Sequence, residues 1–295
     1  MRPAFLKGAA MDYRINFPHL GIFLEHVGKN ITIGNFTIAY YGIAIAIGML
    51  LGIWAVTKRA EETGQKGDDY IDIVLYAMVF GIIGARIYYV IFAWDMYKDN
   101  PISAFNIRQG GLAIYGGLIC GVITIYVVSR IKKMSFPKVL DIIAIGIPIG
   151  QIIGRWGNFF NREAFGKYTD GLLAMQLPVS AVRQNEITAE MWEHVVNLNG
   201  VDFIQVHPTF LYEGMWNVLV LLTIFFMRRR IRFDGELFAI YIAMYSFGRF
   251  FIETLRTDQL LLPGTDIPVS MVVAAVIFCF CLLLILRKRG SGTRS

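Results

Sequence analysis

Arg155, Asn158, Asn161 and Glu163 stand within one run, Gly154–Gly166, where a long apolar stretch gives way to polar sequence. A plain helix end needs far fewer polar groups than this. Arginine's planar fork donates two hydrogen bonds to an anionic group, so the run is suited to holding a phosphate. A second set, Tyr245, Arg249, Glu253 and Arg256, recurs at i, i+4, i+8 and i+11, along one helical face. An i,i+4 ion pair between Arg249 and Glu253 is the simplest use of that spacing. The chain has no G-x-S-x-G, H-E-x-x-H or Walker loop, and His19, His26, His194 and His207 are scattered. No Cys/His cluster points to a metal, and no cofactor is implied. Cys120, Cys279 and Cys281 lie in apolar stretches and read as small buried hydrophobes. Chemistry at such a site needs a nucleophile brought by the substrate, with fixed cations positioning two reactants and stabilising a leaving phosphate.

The elements that must position these residues are membrane spans. Of 295 residues, 56% are hydrophobic and 17% charged, where roughly 25% charged is usual for a soluble domain. Disorder and a nucleic-acid-binding basic domain are excluded, so nucleic acid is not an expected partner. Seven apolar spans run over 36–57, 70–93, 111–129, 140–160, 207–227, 236–253 and 269–286, each near the ~20 residues that cross a hydrocarbon core. The expected fold is therefore all-α: an integral membrane bundle of seven transmembrane helices with a small extracytoplasmic cap. Glycines within the spans allow close helix packing. The first twenty residues lack the continuous apolar core of a signal peptide.

Seven spans put the termini on opposite sides. The loops 58–69, 130–139 and 228–235, with the tail 287–295, hold 15 of the 28 Lys and Arg residues, whereas 10 are spread over the much longer opposite segments. Positive loops face the cytoplasm, so the N-terminus is expected outside and the C-terminus inside. The resulting organisation is an extracytoplasmic segment 1–35, helices 1–4 within 36–160, a cap over 161–206 with a short helix around 188–198, helices 5–7 within 207–286, and a cytoplasmic tail 287–295.

Three cations remain inside the spans: Arg86, Arg155 and Arg249. An intramembrane arginine is costly and marks a functional site by default. At 1.5 Å per residue, Arg86 lies about 24 Å above Tyr70, Arg155 about 22 Å above Leu140, and Arg249 about 20 Å above Glu236. All three reach one depth in the outer half of the bilayer. Tyr41, Tyr115 and Glu213 fall near the same level, although the tyrosines also suit an aromatic belt. Asp141 opens the fourth span on the other side, where helix capping or packing is its expected role. The phosphate available at the level of the arginines belongs to a phospholipid headgroup. A lipid-binding transporter would instead place its site at the midplane between repeats. An outer-leaflet lipid-modifying transferase is the nearer alternative.

The run 154–166 matches in full the G-R-x-G-N-F-x-N-x-E-x-x-G signature of the prolipoprotein diacylglyceryl transferase family, which the chain resembles over about residues 20–286. Tyr41-Gly42, Gly84 to Tyr89, Gly110 to Gly117, His207-Pro208 through Tyr212-Glu213, and Tyr245 through Asp258 extend the resemblance. It implies transfer of the diacylglyceryl group of phosphatidylglycerol to the lipobox cysteine of a prolipoprotein signal peptide, at the bacterial cell membrane, with release of glycerol phosphate. Arg155 and Arg249 would be catalytic and hold the phosphate. Tyr41, Arg86, Asn158, Glu163, Gly166, His207, Glu213, Tyr245, Glu253 and Arg256 would line or support the substrate site. Some family members carry a His where this chain has Tyr115. Tyrosine ordinarily titrates near pKa ~10 and is a base at neutral pH only with help from a neighbouring cation. Tyr115 is thus expected to orient the headgroup, or to act as an arginine-activated base.

Overall fold

Backbone polar groups in a hydrocarbon layer must pair within their own segment, and helices do this at any length. The structure, a computed structural model, describes residues 13–107 and 110–291. Its long helices are α1 (Tyr40–Glu62), α2 (Gly67–Phe92), α3 (Ile114–Ile131), α4 (Phe136–Asn161), α6 (Thr209–Met227), α7 (Glu236–Glu253) and α8 (Val269–Ser291), with a short α5 (Ala189–Glu193) between α4 and α6. Six of them, all but α5 and α7, are long and apolar enough to cross a membrane. The expected sixth span, 236–253, does form the 18-residue helix α7, but Glu236, Arg249 and Glu253 make it too charged to qualify on composition alone. In α8 mean hydropathy reaches 3.1 while only 11% of its apolar window is buried; Val276, Phe280 and Leu283 point outward. Such a surface suits contact with lipid.

The expectation of an all-α chain needs correction. The fold is mostly helical, but a five-stranded antiparallel sheet is present, in the order β2 (Ile22–Leu24), β1 (Ile15–Phe17), β5 (Met175–Pro178), β7 (Val201–Val206), β6 (Val196–Leu198). Segments 1–35 and 161–206, expected as separate pieces, thus contribute strands to one sheet. The helix expected around 188–198 is shorter: Thr188 caps α5 at Met191 N, and the chain turns into β6 after His194. The first span also starts later than expected, because Phe36–Ala39 (β4) pairs with Asn30–Ile33 (β3) as a hairpin before α1 begins.

Contacts divide the chain into two units: one from the described parts of 1–50, 148–226 and 239–295, the other from 51–147 and 227–238. In the first, the sheet buries Ile15, Met175, Leu177, Ile204 and Val206 against Phe159 and Phe210 of the helices. Asn16, Gln176 and Gln205 are buried but linked side chain to side chain at 3.4 and 3.1 Å, which removes the penalty of burying amides.

In the second unit, Val56, Tyr70, Ile73, Val139, Ile142 and Ile143 pack together. Helices α2 and α3 approach closely at Gly84 and Gly116, where a Cβ on Gly116 would lie 2.4 Å from the Gly84 carbonyl oxygen. Lys132, just past α3, pairs with Asp69 and Asp72 of α2 at 2.6 and 2.8 Å. Asp141 caps a helix, though not its own: its carboxylate accepts from Gly235 N and Phe238 N at the start of α7, at 2.7 and 2.9 Å, where unpaired amides favour an anion.

Candidate active site

Glu213 lies one turn into α6 and is 4% exposed. Three arginines converge on it. Arg155 Nη2, from the end of α4, meets Oε2. Arg249 Nη1, from α7, and Arg256 Nη1, just beyond α7, both reach Oε1 at 3.3 Å. Arg249 Nη2 also pairs with Glu253 Oε2 at 2.5 Å, the i,i+4 contact expected from the spacing. Arg256 is further gripped by Asp258 through Nε at 2.9 Å and Nη2 at 2.6 Å. Burial alone would raise the Asp258 carboxyl, but Arg256's hydrogen bonds and charge hold it below the usual carboxylate range. Three cations and three carboxylates thus form one network in a poorly hydrated setting, where each charge depends on the others.

The signature run extends the network. Arg155 Nη1 donates to Asn158 Oδ1 at 3.5 Å, and Asn158 Nδ2 donates to Glu163 Oε1 at 3.1 Å. Tyr41 packs on the same turn of α4, since a Cβ on Gly157 would collide with the Tyr41 ring at 2.0 Å. Beyond α4 the chain makes two left-handed turns at non-glycine residues, Arg162 (φ 54°) and Ala164 (φ 55°), a conformation costing roughly 1–3 kcal/mol each. Arg162 holds this loop by donating to the Phe160, Tyr13 and Val27 carbonyls. Gly166 N donates to the His207 carbonyl at 2.9 Å, and Lys167 N to the Leu255 carbonyl at 2.7 Å. A Cβ on Gly166 would lie 2.7 Å from His207 Cβ and 2.9 Å from the Leu255 oxygen, which explains the glycine. Gly166→Ala is therefore expected to lower the rate of the site's reaction by about tenfold or more, through displacement of the loop that carries Glu163; a steady-state assay against wild type checks this.

Other expected residues take defined places. Tyr245 borders a small cavity with Glu213, Trp216, Asn217 and Arg249. His207 Nδ1 lies 3.2 Å from Tyr212 Oη, and burial lowers the His207 pKa, which favours the neutral imidazole.

Arg86 and Tyr115 belong to the second unit. Arg86 is buried, and its guanidinium donates to five backbone carbonyls, of Ser103, Ala104, Asn106, Gly110 and Gly111, at 2.6–3.2 Å. Those five bonds match the five N–H donors of the side chain, and Tyr97 lies under the cation at 5.3 Å. In this arrangement its fork ties together the backbone at Ser103, Ala104, Asn106, Gly110 and Gly111. Arg86→Lys, which replaces five donors by three, is expected to lower the melting temperature in detergent, because carbonyls held by the fork lose their partners. Tyr115, in the first turn of α3, is 40% exposed.

Sequence reasoning passed over Asn217 and Asp258. Asn217 lies at i+4 from Glu213 inside an apolar helix, is 2% exposed, and its Oδ1 has no hydrogen-bond partner. A lone polar residue at that register was a readable signal. Among the described residues, no group of three or more His, Cys, Asp or Glu side chains could hold a metal ion.

Apolar helices of this length, with a buried arginine–carboxylate cluster at their ends, define a multi-pass membrane protein. The family profile described as prolipoprotein diacylglyceryl transferase matches residues 29–287. Similar curated proteins include a phosphatidylglycerol–prolipoprotein diacylglyceryl transferase of Bacillus cytotoxicus, 40% identical over 269 residues and covering 90% of this chain and 93% of the relative. Proteins of the same name from Bacillus mycoides and Bacillus anthracis are 40% and 39% identical over 264 residues, with the same coverage. The chain belongs to the prolipoprotein diacylglyceryl transferase family, and it is an enzyme.

Proposed function

We infer that the chain transfers the diacylglyceryl group of phosphatidylglycerol to the cysteine thiol of a prolipoprotein, and that the network around Glu213 is where it does so. The observation that carries this reading is the convergence of Arg155, Arg249 and Arg256 on one buried carboxylate beside the signature loop. In the reaction a sulfur–carbon bond forms as the carbon–oxygen bond to phosphate breaks. The electron pair goes to the phosphate oxygen, and the thiol proton goes to a base. The leaving group passes from a phosphodiester with one charge to a phosphomonoester approaching two. Cations fixed in low dielectric bind that growing charge more strongly than the starting one, which is the condition for catalysis rather than mere binding. Carboxylates already paired with the arginines hold their forks in place before the lipid arrives.

In this reading Arg155 and Arg249 contact the phosphate, Asn158 and Glu163 orient Arg155, and Glu213, Glu253 and Arg256 hold the arginines in register. Tyr41, Tyr245, Gly166 and His207 shape the walls. Arg86 is a positioning residue, and Tyr115 orients the headgroup or accepts the thiol proton. Tyr115→Phe is expected to reduce kcat/KM by about tenfold; full activity of the purified variant would remove Tyr115 from the chemistry.

The membrane arrangement that suits this role has α7 as a seventh span, the sheet outside as part of a cap, and the loops rich in Lys and Arg in the cytoplasm. The signature loop then meets the outer leaflet, where the lipobox of a translocated signal peptide is exposed. The test of function incubates purified protein with phosphatidylglycerol and a lipobox peptide, and follows the mass of the peptide. A peptide left unmodified by the wild-type protein overturns the reading.

A further inference from the structure

A cavity of ≈ 10 Å³ borders the arginine network, lined by Glu213, Trp216, Asn217, Tyr245, Arg249 and Ile252. That is room for one water molecule or one hydroxyl group. Its walls are fixed. Trp216 Nε1 donates to the Met244 carbonyl at 2.8 Å, and Gly248 makes way for the indole, since a Cβ there would lie 2.2 Å from that nitrogen. Asn217 is the exception among well-satisfied neighbours: it is 2% exposed and its Oδ1 accepts no hydrogen bond. Burying an amide oxygen unpaired costs stability, and a leucine at this register of α6 would avoid that cost. Proteins keep such local costs at functional sites.

The lining selects the charge of what enters. A cation would meet Arg249, and an anion would meet the Glu213 carboxylate, both in a poorly hydrated setting. A neutral hydroxyl suits both walls. It donates to Asn217 Oδ1, and it can accept from Arg249, whose five N–H donors exceed its contacts with Glu213 and Glu253. We propose that this cavity binds a neutral hydroxyl, and that Asn217 thereby selects a donor lipid whose headgroup carries one. The proposal rests on the function inferred above. With the phosphate on Arg249, the cavity beside it receives the headgroup atoms that follow the phosphate. In phosphatidylglycerol the nearer headgroup hydroxyl is two carbons from the phosphate oxygen. A headgroup without a hydroxyl leaves Asn217 unpaired, and one with an ammonium meets Arg249, so both are disfavoured.

A water molecule offers the same hydroxyl chemistry, and the test separates the two sources. Transfer to a lipobox peptide is measured for purified wild type and Asn217→Leu, each with phosphatidylglycerol and with phosphatidylpropanol, whose headgroup has no hydroxyl. The lipid-free proteins are also melted in detergent. Wild type should prefer phosphatidylglycerol about tenfold in kcat/KM, the worth of one hydrogen bond. Asn217→Leu should lose that preference through the phosphatidylglycerol value alone, and melt no lower than wild type, because an unpaired buried oxygen is gone. An equal loss on both donors, at an unchanged or raised melting temperature, would support the hydroxyl site and assign it to a bound water. An equal loss with a lowered melting temperature makes Asn217 a packing residue and overturns the proposal, as does unchanged transfer from both donors. Where Asn217→Leu does not fold, Asn217→Ala carries the same comparison of donors. If wild type transfers nothing from phosphatidylglycerol, the inferred function fails instead. The melting temperature with each lipid added then still decides the cavity. A larger rise with phosphatidylglycerol than with phosphatidylpropanol, lost in the variant, supports it, and equal rises overturn it.

Discussion

Arg155→Ala and Arg249→Ala are each expected to abolish peptide lipidation, by about 10³-fold or more in kcat/KM, with the fold retained in a detergent melt. Removing one preorganised donor to a developing oxyanion costs about 10²–10³ in rate. Here each arginine also sets the position of Glu213, and Arg155 that of Asn158, so misplacement adds to the lost charge. Arg155→Lys should recover little, because an ammonium cannot reproduce a fork that contacts Glu213 and Asn158 together. The split between constants is informative. A fall mainly in kcat means that the arginines act on the leaving phosphate; a rise in KM with intact kcat would make them lipid-holding groups only. Activity within tenfold of wild type for Arg155→Ala would place the chemistry elsewhere.

Glu213→Ala should be the more damaging change to the protein itself. Glu213 is the carboxylate shared by Arg155, Arg249 and Arg256. Breaking a buried ion pair from one side costs about 3–5 kcal/mol, because uncompensated charge stays behind. Three cations would then repel one another at short range, with only Glu253 and Asp258 to answer them. The expected outcome is a lower melting temperature together with lost transfer. Arg155→Ala, by contrast, leaves Glu213 with two partners and should melt nearer to wild type. Equal melting temperatures for Glu213→Ala and wild type would show that the network contributes nothing to stability. Added phosphatidylglycerol should raise the melting temperature of wild type by mass action and do so less for either arginine variant.

Much of this was legible in the chain, for a local reason. A charged residue within twenty apolar ones is anomalous wherever its partners are, so Arg155 and Arg249 stood out, as did most of the spans. The i,i+4 spacing of Arg249 and Glu253 survives as a 2.5 Å contact, because helical register depends only on near neighbours. Arg86 shows the limit of that argument. It was anomalous for the same reason, yet its guanidinium serves five carbonyls between Ser103 and Gly111. An intramembrane charge announces that partners exist without saying what they are.

What the sequence determined alone was the membrane class, the family and the residues whose charge is out of place, since hydropathy, signature and helical phase are all properties of contiguous residues. Tertiary structure decided the rest. The three- and four-residue strands β1 and β5 bury every side chain and so show no alternation to read. Asn16 meets Gln176 from 160 positions away, and Arg256 meets Glu213 from 43. Contacts of that kind depend on where the chain returns in space. Only the folded chain could show that three arginines answer to one carboxylate.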